Sequence, residues 1–166
     1  MKYAVRALLH PLDTLKVLDK MAAEPLWHEA FTVQTKLPGK IHKPYLYLGL
    51  PSAGRAAALV DHYDFVKSLD SVALRNTFLS ATGNTITRFT GKDGEAFHVV
   101  LGSIGKSERE GEANMFLYME ETLLAALTFS VVQRPQGLTL IVGGFQGAHR
   151  STPHEVIKQA TKSCYG

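Results

Sequence analysis

Residues 85–101, TITRFTGKDGEAFHVVL, decide the fold of this chain. Thr85, Ile86, Thr87, Arg88 and Phe89 alternate in character and belong to types that favour extended backbone. Gly91-Lys92-Asp93-Gly94 interrupts them with a strong turn signal, and Phe97, Val99 and Leu101 resume the alternation. Two strands joined this tightly must run antiparallel, because a parallel crossover needs a dozen or more residues. Toward the C-terminus the same grammar continues. Strands are expected over Ala113–Met119, Leu123–Val132 and Leu138–Val142, separated by Glu120-Glu121 and by a turn over Gln133–Gly137. The expectation is a mostly antiparallel five-stranded sheet.

Upstream of residue 83 the period changes from two to that of a helix. Leu12, Leu15, Leu18 and Met21 gather on one helical side after Pro11, and Pro25 ends or bends the segment. This side is expected to cover the sheet; contact with a membrane surface is the alternative use of such a basic amphipathic helix. Periodicity fades between Thr32 and Pro51, where Pro38-Gly39 and Lys43-Pro44 signal turns. Ser52 is read as the cap of a helix running to about Leu69, with Ala56, Leu59, Val60, Tyr63 and Val66 on its apolar face. A shorter helix follows Asp70, using Val72, Leu74, Phe78 and Leu79. At the far end Thr152-Pro153-His154-Glu155 combines a cap, a first-turn proline and a glutamate three residues on, opening a helix with Val156, Ile157 and Ala160 inward. The fold class is therefore α+β: N-terminal helices over residues 1–82, packed on the sheet and C-terminal helix of residues 83–166, in one unit.

Composition narrows the function classes. Of the 166 residues 45% are hydrophobic and 20% charged, which excludes a disordered chain. The net charge of +3 is spread along the sequence, without the dense stripe of a nucleic-acid binder. A single cysteine, Cys164, rules out an internal disulfide and a cysteine zinc site, and fits a cytoplasmic location. The longest uncharged apolar stretch, between Glu121 and Arg134, is too short to span a bilayer, and Arg6 and His10-Pro11 interrupt any signal segment. The seven histidines show no HExxH spacing, and His62 beside Asp61 reads as a surface or packing residue. Ser103, in Gly102-Ser103-Ile104-Gly105, is one residue short of a nucleophile elbow and lies in hairpin context. No cofactor is evident from the residues.

Two segments could hold an anion. Lys106-Ser107-Glu108-Arg109-Glu110-Gly111-Glu112 reads as a solvated connection from which Arg109 projects. Gly143-Gly144-Phe145-Gln146-Gly147-Ala148-His149-Arg150 joins the last strand to the capped helix, where backbone N–H groups can converge. The candidate binding residues are Gly144, Gln146, Gly147, Arg150 and Arg109. No catalytic residue is assigned.

Several of these stretches carry a family likeness. Leu37-Pro38-Gly39-Lys40-Ile41-His42-Lys43-Pro44-Tyr45-Leu46, Arg55 through His62-Tyr63-Asp64-Phe65, Phe89 to Glu95, Gly105-Lys106 with Glu108 to Glu112, and Gly143 to Gly147 resemble, in order, the motifs of the bacterial VirK/YbjX family. That resemblance implies an N-terminal portion of a protein close to twice this length. It also implies an accessory role tied to virulence, envelope integrity or resistance to cationic antimicrobial peptides, with a small-molecule or envelope-related partner. It transfers no catalytic residues. Separately, strands feeding a glycine bend and a helix look similar to the acyl-CoA-binding half of GNAT acyltransferases, which would make acyl-CoA the cofactor of the full-length chain. The spacing after Gln146 departs from that family's pattern.

Overall fold

In the computed structural model, which describes residues 9–103 and 109–165, the chain begins with two short helices split by proline. Helix α1 (Pro11–Ala23) ends where Glu24 turns extended, and Pro25, with no N–H to lose, starts α2 (Pro25–Val33). A 3-10 turn follows at Leu37–His42, then α3 (Ser52–Ser68) and α4 (Val72–Phe78). The strands are β1 (Asn84–Thr90), β2 (Ala96–Gly102), β3 (Ala113–Met119), β4 (Thr122–Arg134) and β5 (Gly137–Gly147), and α5 (His154–Tyr165) closes the order. All four strand pairings are antiparallel between sequence neighbours, in the order β1-β2-β3-β4-β5. The expected α+β architecture stands.

One core joins the helical lobe to the sheet. Val17, Trp27, Leu37, Ile41, Tyr45, Leu59, Tyr63 and Val66 pack with Leu101, Ala113, Phe129 and Val131. The apolar face read for α3 is buried throughout. A second, smaller cluster forms where Val156 and Ala160 of α5 lie against Phe97, Leu117 and Met119. Helix α5 is further tied to the β1–β2 turn, with the Lys92 N–H donating to the Ser163 carbonyl and Lys162 paired to Asp93.

Three expectations need correction. Leu12, Leu15 and Leu18 face outward, 80%, 52% and 43% exposed, whereas Val17 and Met21 of α1 contact the core. Polar fastenings set this rotation: Asp13 accepts from Ser52, and Lys20 reaches Asp64 at 3.2 Å and Glu24 at 2.8 Å. Ser52 consequently does not cap α3; Pro51 is the cap, and the serine hydroxyl serves α1. The segment between Thr32 and Pro51, where periodicity fades, packs inward, with Leu37, Lys40, Ile41, His42, Tyr45 and Leu46 all buried. Finally, β5 runs on to Gly147, so the glycine segment is paired strand rather than bend, and α5 starts at His154 behind Pro153.

The joint between lobe and sheet has an unusual construction. β3 begins with Ala113 opposite Phe129, so the outer part of β4 continues past the end of its neighbour. There α3 takes the place of a strand. The Val131 N–H donates to Nδ1 of buried His62 at 3.1 Å, and the Gln133 N–H donates to Asp61 at 3.0 Å. Side chains of a helix thus satisfy backbone donors that would otherwise be orphaned. To accept from Val131, Nδ1 must be unprotonated, and burial lowers the His62 pKa from 6.5 to about 4.

A histidine held below its unfolded pKa takes its proton first in the unfolded chain. The His62 contribution is therefore complete above pH 6.5 and declines as pH falls toward about 4, by about 3 kcal/mol over that window. Urea midpoints measured across this range should fall with acidification. His62→Leu should destabilise the protein by about 1–3 kcal/mol at pH 7 and flatten that slope; a slope unchanged in the variant would contradict this account of the joint.

Candidate functional site

Among the described residues Glu112 is the one carboxylate that is buried, 1% exposed as a residue. The 3-10 turn brings Lys40 to it. The Lys40 ammonium meets Oε1 of Glu112 at 2.5 Å and also donates to Oε1 of Gln34, the residue that ends α2. From α3 the Tyr63 hydroxyl donates to Oε2 of Glu112 at 2.7 Å. Glu112's own N–H donates to the Phe129 carbonyl at 3.0 Å and reaches Ser130 Oγ at 3.1 Å. Its carbonyl accepts from Gln34 Nε2 and from the Ser103 hydroxyl, both at 3.1 Å. Tyr45 and Ser130 share a hydroxyl hydrogen bond of 3.0 Å beside this set.

The electrostatics follow from that geometry. Burial pushes the Glu112 carboxyl up, but Lys40 and the Tyr63 hydroxyl outweigh it and hold the group below the usual carboxylate range. Burial, reinforced by the Glu112 charge, drives the Tyr45 and Tyr63 phenols well above 10. Both therefore stay neutral, and Tyr63 remains a donor. Each carboxylate oxygen accepts one internal hydrogen bond, so the set holds an ion pair in place inside the fold.

Above the pair lies a narrow cleft lined by Lys36, Gly39, Lys40, Lys43, Pro44, Tyr45 and Arg109. Lys40 spans both environments, its ammonium on Glu112 and 5.7 Å from the centre of the Tyr45 ring. Arg109 is fixed by its backbone, whose carbonyl accepts from Leu46 N–H at 2.8 Å, while its residue is exposed. Arg55 steadies the opposite wall by donating to the Lys43 carbonyl at 2.8 Å. No acidic residue is among the described residues of the lining.

Of the residues singled out in the sequence, only Arg109 stands at this cleft. Gly144, Gln146 and Gly147 are in β5 opposite Thr128, Ala126 and Ala125, and Arg150 is exposed in the bend before α5. Why the glycines are needed is now visible. Glu110 lies across β5, and a Cβ on Gly143 would strike its main-chain carbonyl, while one on Gly144 would strike its carboxylate. The Glu110 carboxylate thus packs against Gly144. β4 and β5 also stay paired as far as Ala125–Gly147. The charged connection is no solvated loop at its C-terminal end, since Gly111 and Glu112 are packed inside; Gly105 to Glu108 lie outside the described residues.

Sequence reasoning missed Gln34, Lys40, Tyr45, Tyr63 and Glu112 as a group. A signal was present: Lys40 and Tyr45, Tyr63, and Glu112 each sit in a separate stretch with family likeness, and the fold brings those stretches to one point.

Comparison with known proteins bears directly on that convergence. A family model described as "Protein of unknown function (DUF535)" matches residues 1–166. The chain belongs to this family. It is 29% identical over 166 residues to "Uncharacterized protein YbjX" of Escherichia coli (strain K12), across 99% of the present chain and 50% of that protein. The VirK/YbjX kinship read from the motifs is therefore correct, and the chain spans about half the length of the curated relative it matches. No solved structure matches. Among the described residues no helix is long and apolar enough to cross a membrane, and no three His, Cys, Asp or Glu side chains gather as metal ligands.

Breaking the buried pair from one side leaves an uncompensated charge, which costs about 3–5 kcal/mol. Lys40→Met should lower stability by that amount in urea unfolding, and Glu112→Gln by less. The double variant should recover a large part of the Lys40→Met loss. Strictly additive losses in this cycle would show that the two side chains are not energetically coupled.

Proposed function

We propose that this domain is a binding module acting in bacterial envelope integrity, in the setting of virulence or resistance to cationic antimicrobial peptides, and that it holds an anionic group in the cleft of Lys36, Lys40, Lys43 and Arg109. The observation that carries the reading is that Lys36, Lys40, Lys43 and Arg109 line one cleft, with Lys40 held from beneath by buried Glu112. Like charges gathered at a surface raise the local potential and attract a counter-ion of matching geometry. Arg109 offers a planar fork suited to phosphate or carboxylate, and Lys40 is held in place by Glu112 from beneath. Binding is favoured over turnover because Glu112 is buried and each of its carboxylate oxygens already accepts from Lys40 or Tyr63. The envelope setting is supported by family kinship.

Calorimetric titration with inorganic pyrophosphate tests the cleft. Binding is expected, weakened at least about tenfold by Arg109→Glu and unaltered by Arg150→Glu. Absence of heat in the unsubstituted protein, or a loss caused by Arg150→Glu instead, rejects the cleft. The envelope setting is tested separately: deleting the gene in the native bacterium should change its sensitivity to cationic peptides, and identical sensitivity across several peptides rejects that half of the proposal.

A further inference from the structure

A second hollow, of about 120 Å³, opens between α3 and the outer parts of β4 and β5. Leu46, Ala58 and Val132 wall it as members of the main core, and Leu50 and Ile141 are packed against that core. An apolar cavity of about 150 Å³ admits benzene, so this one has room for a branched four-carbon side chain. Two opposite charges stand on its border. Asp61 comes from α3, and its Oδ2 accepts from the Gln133 N–H at 3.0 Å. Arg134 is the next residue along β4 and, two positions from Val132, lies on the same face of the strand. Acid and base thus border the hollow from neighbouring positions. No ion pair joins them, and the Arg134 guanidinium has no partner among the described residues. One wall is also strained. Leu46 has φ 60°, and the Tyr47 N–H closes a three-residue turn around it on the Tyr45 carbonyl at 2.8 Å. Backbone strain of this kind persists only where the surroundings fix it, and it gathers at ligand sites.

We propose that this hollow binds a free α-amino acid with an aliphatic side chain. Such a ligand carries an ammonium, a carboxylate and an apolar arm on one carbon. The hollow offers a match for each: Asp61 for the ammonium, the planar fork of Arg134 for the carboxylate, and apolar walls for the side chain. Asp61 is held through Oδ2 by the Gln133 N–H, so its position is set before a ligand arrives, and Oδ1 remains to accept from the ammonium. A simple anion would meet Asp61 as a like charge, and a simple amine would meet Arg134 as one. A zwitterion is matched at both. The hollow shares no lining residue with the cleft of Lys40 and Arg109, so the two sites stand or fall separately.

Calorimetric titration with L-leucine, up to about 10 mM, tests the site. Saturable binding is expected, weakened at least about tenfold by Arg134→Gln and by Asp61→Asn. Asparagine still accepts from the Gln133 N–H, so both variants should keep an unchanged far-ultraviolet circular dichroism spectrum. Glycine, isocaproate (leucine without its ammonium) and isopentylamine (leucine without its carboxylate) should each bind at least about tenfold more weakly. Arg109→Glu, at the anion cleft, should leave leucine binding intact. Absence of leucine binding overturns the proposal, as does binding that survives both Arg134→Gln and Asp61→Asn. Isocaproate bound as tightly as leucine would assign the hollow to an acyl carboxylate, and isopentylamine bound so would assign it to an apolar amine. Glycine bound as tightly would show that the apolar walls take no part. Each of these three results overturns the amino-acid site.

Discussion

A carboxylate taken out of water must be compensated or neutralised, and the fold of this protein is arranged around doing the former for Glu112. Its charge is met by Lys40 from the 3-10 turn and by Tyr63 from α3, while its backbone is held by Gln34, Ser103 and Phe129. These partners come from the end of α2, the 3-10 turn and α3 in the lobe, and from β4 and the residue after β2 in the sheet. Charged groups demand defined distances and directions, which apolar contacts do not. The ion pair accordingly fixes how the lobe seats on the sheet, and the cleft above it inherits that rigidity.

This constraint also explains what could be read from the sequence. The strands were legible because β1 to β4 keep a two-residue alternation punctuated by glycine or by paired glutamates, and each turn is too short for anything but a hairpin. The buried face of α3 was legible from Ala56, Leu59, Tyr63 and Val66 because periodicity reports burial directly. α1 misled for a physical reason: its leucines are periodic, but Asp13 and Lys20 turn the helix so that Val17 faces inward. Periodicity cannot reveal which side of an amphipathic helix a hydrogen bond will claim. The stretch from Leu37 to Leu46 has no helical or strand period, so its pattern did not announce that Lys40 and His42 are inside.

For the candidate site the difficulty was one of range. Gln34, Lys40, Tyr63 and Glu112 are separated by tens of residues and none belongs to a local motif with known chemistry. Arg109 was found because it stands in a charge cluster, but the cluster's own carboxylates were assumed to face water. Glu110 and Glu112 instead turn inward, one over the glycines of β5 and the other onto Lys40. Gly143 and Gly144 are a place of close approach. What approaches is the chain's own acid.

The replacement of a β neighbour by α3 alongside β4 has a consequence for how the chain can be divided. A cut between residues 82 and 83 would follow the boundary between helical and extended segments, yet it would strand the amides of Val131 and Gln133 without acceptors and leave Glu112 without its counter-charge. Neither fragment would carry a closed set of polar partners. Secondary-structure content and foldable modules thus have different borders in this protein: the sheet completes itself only with a helix as its honorary member.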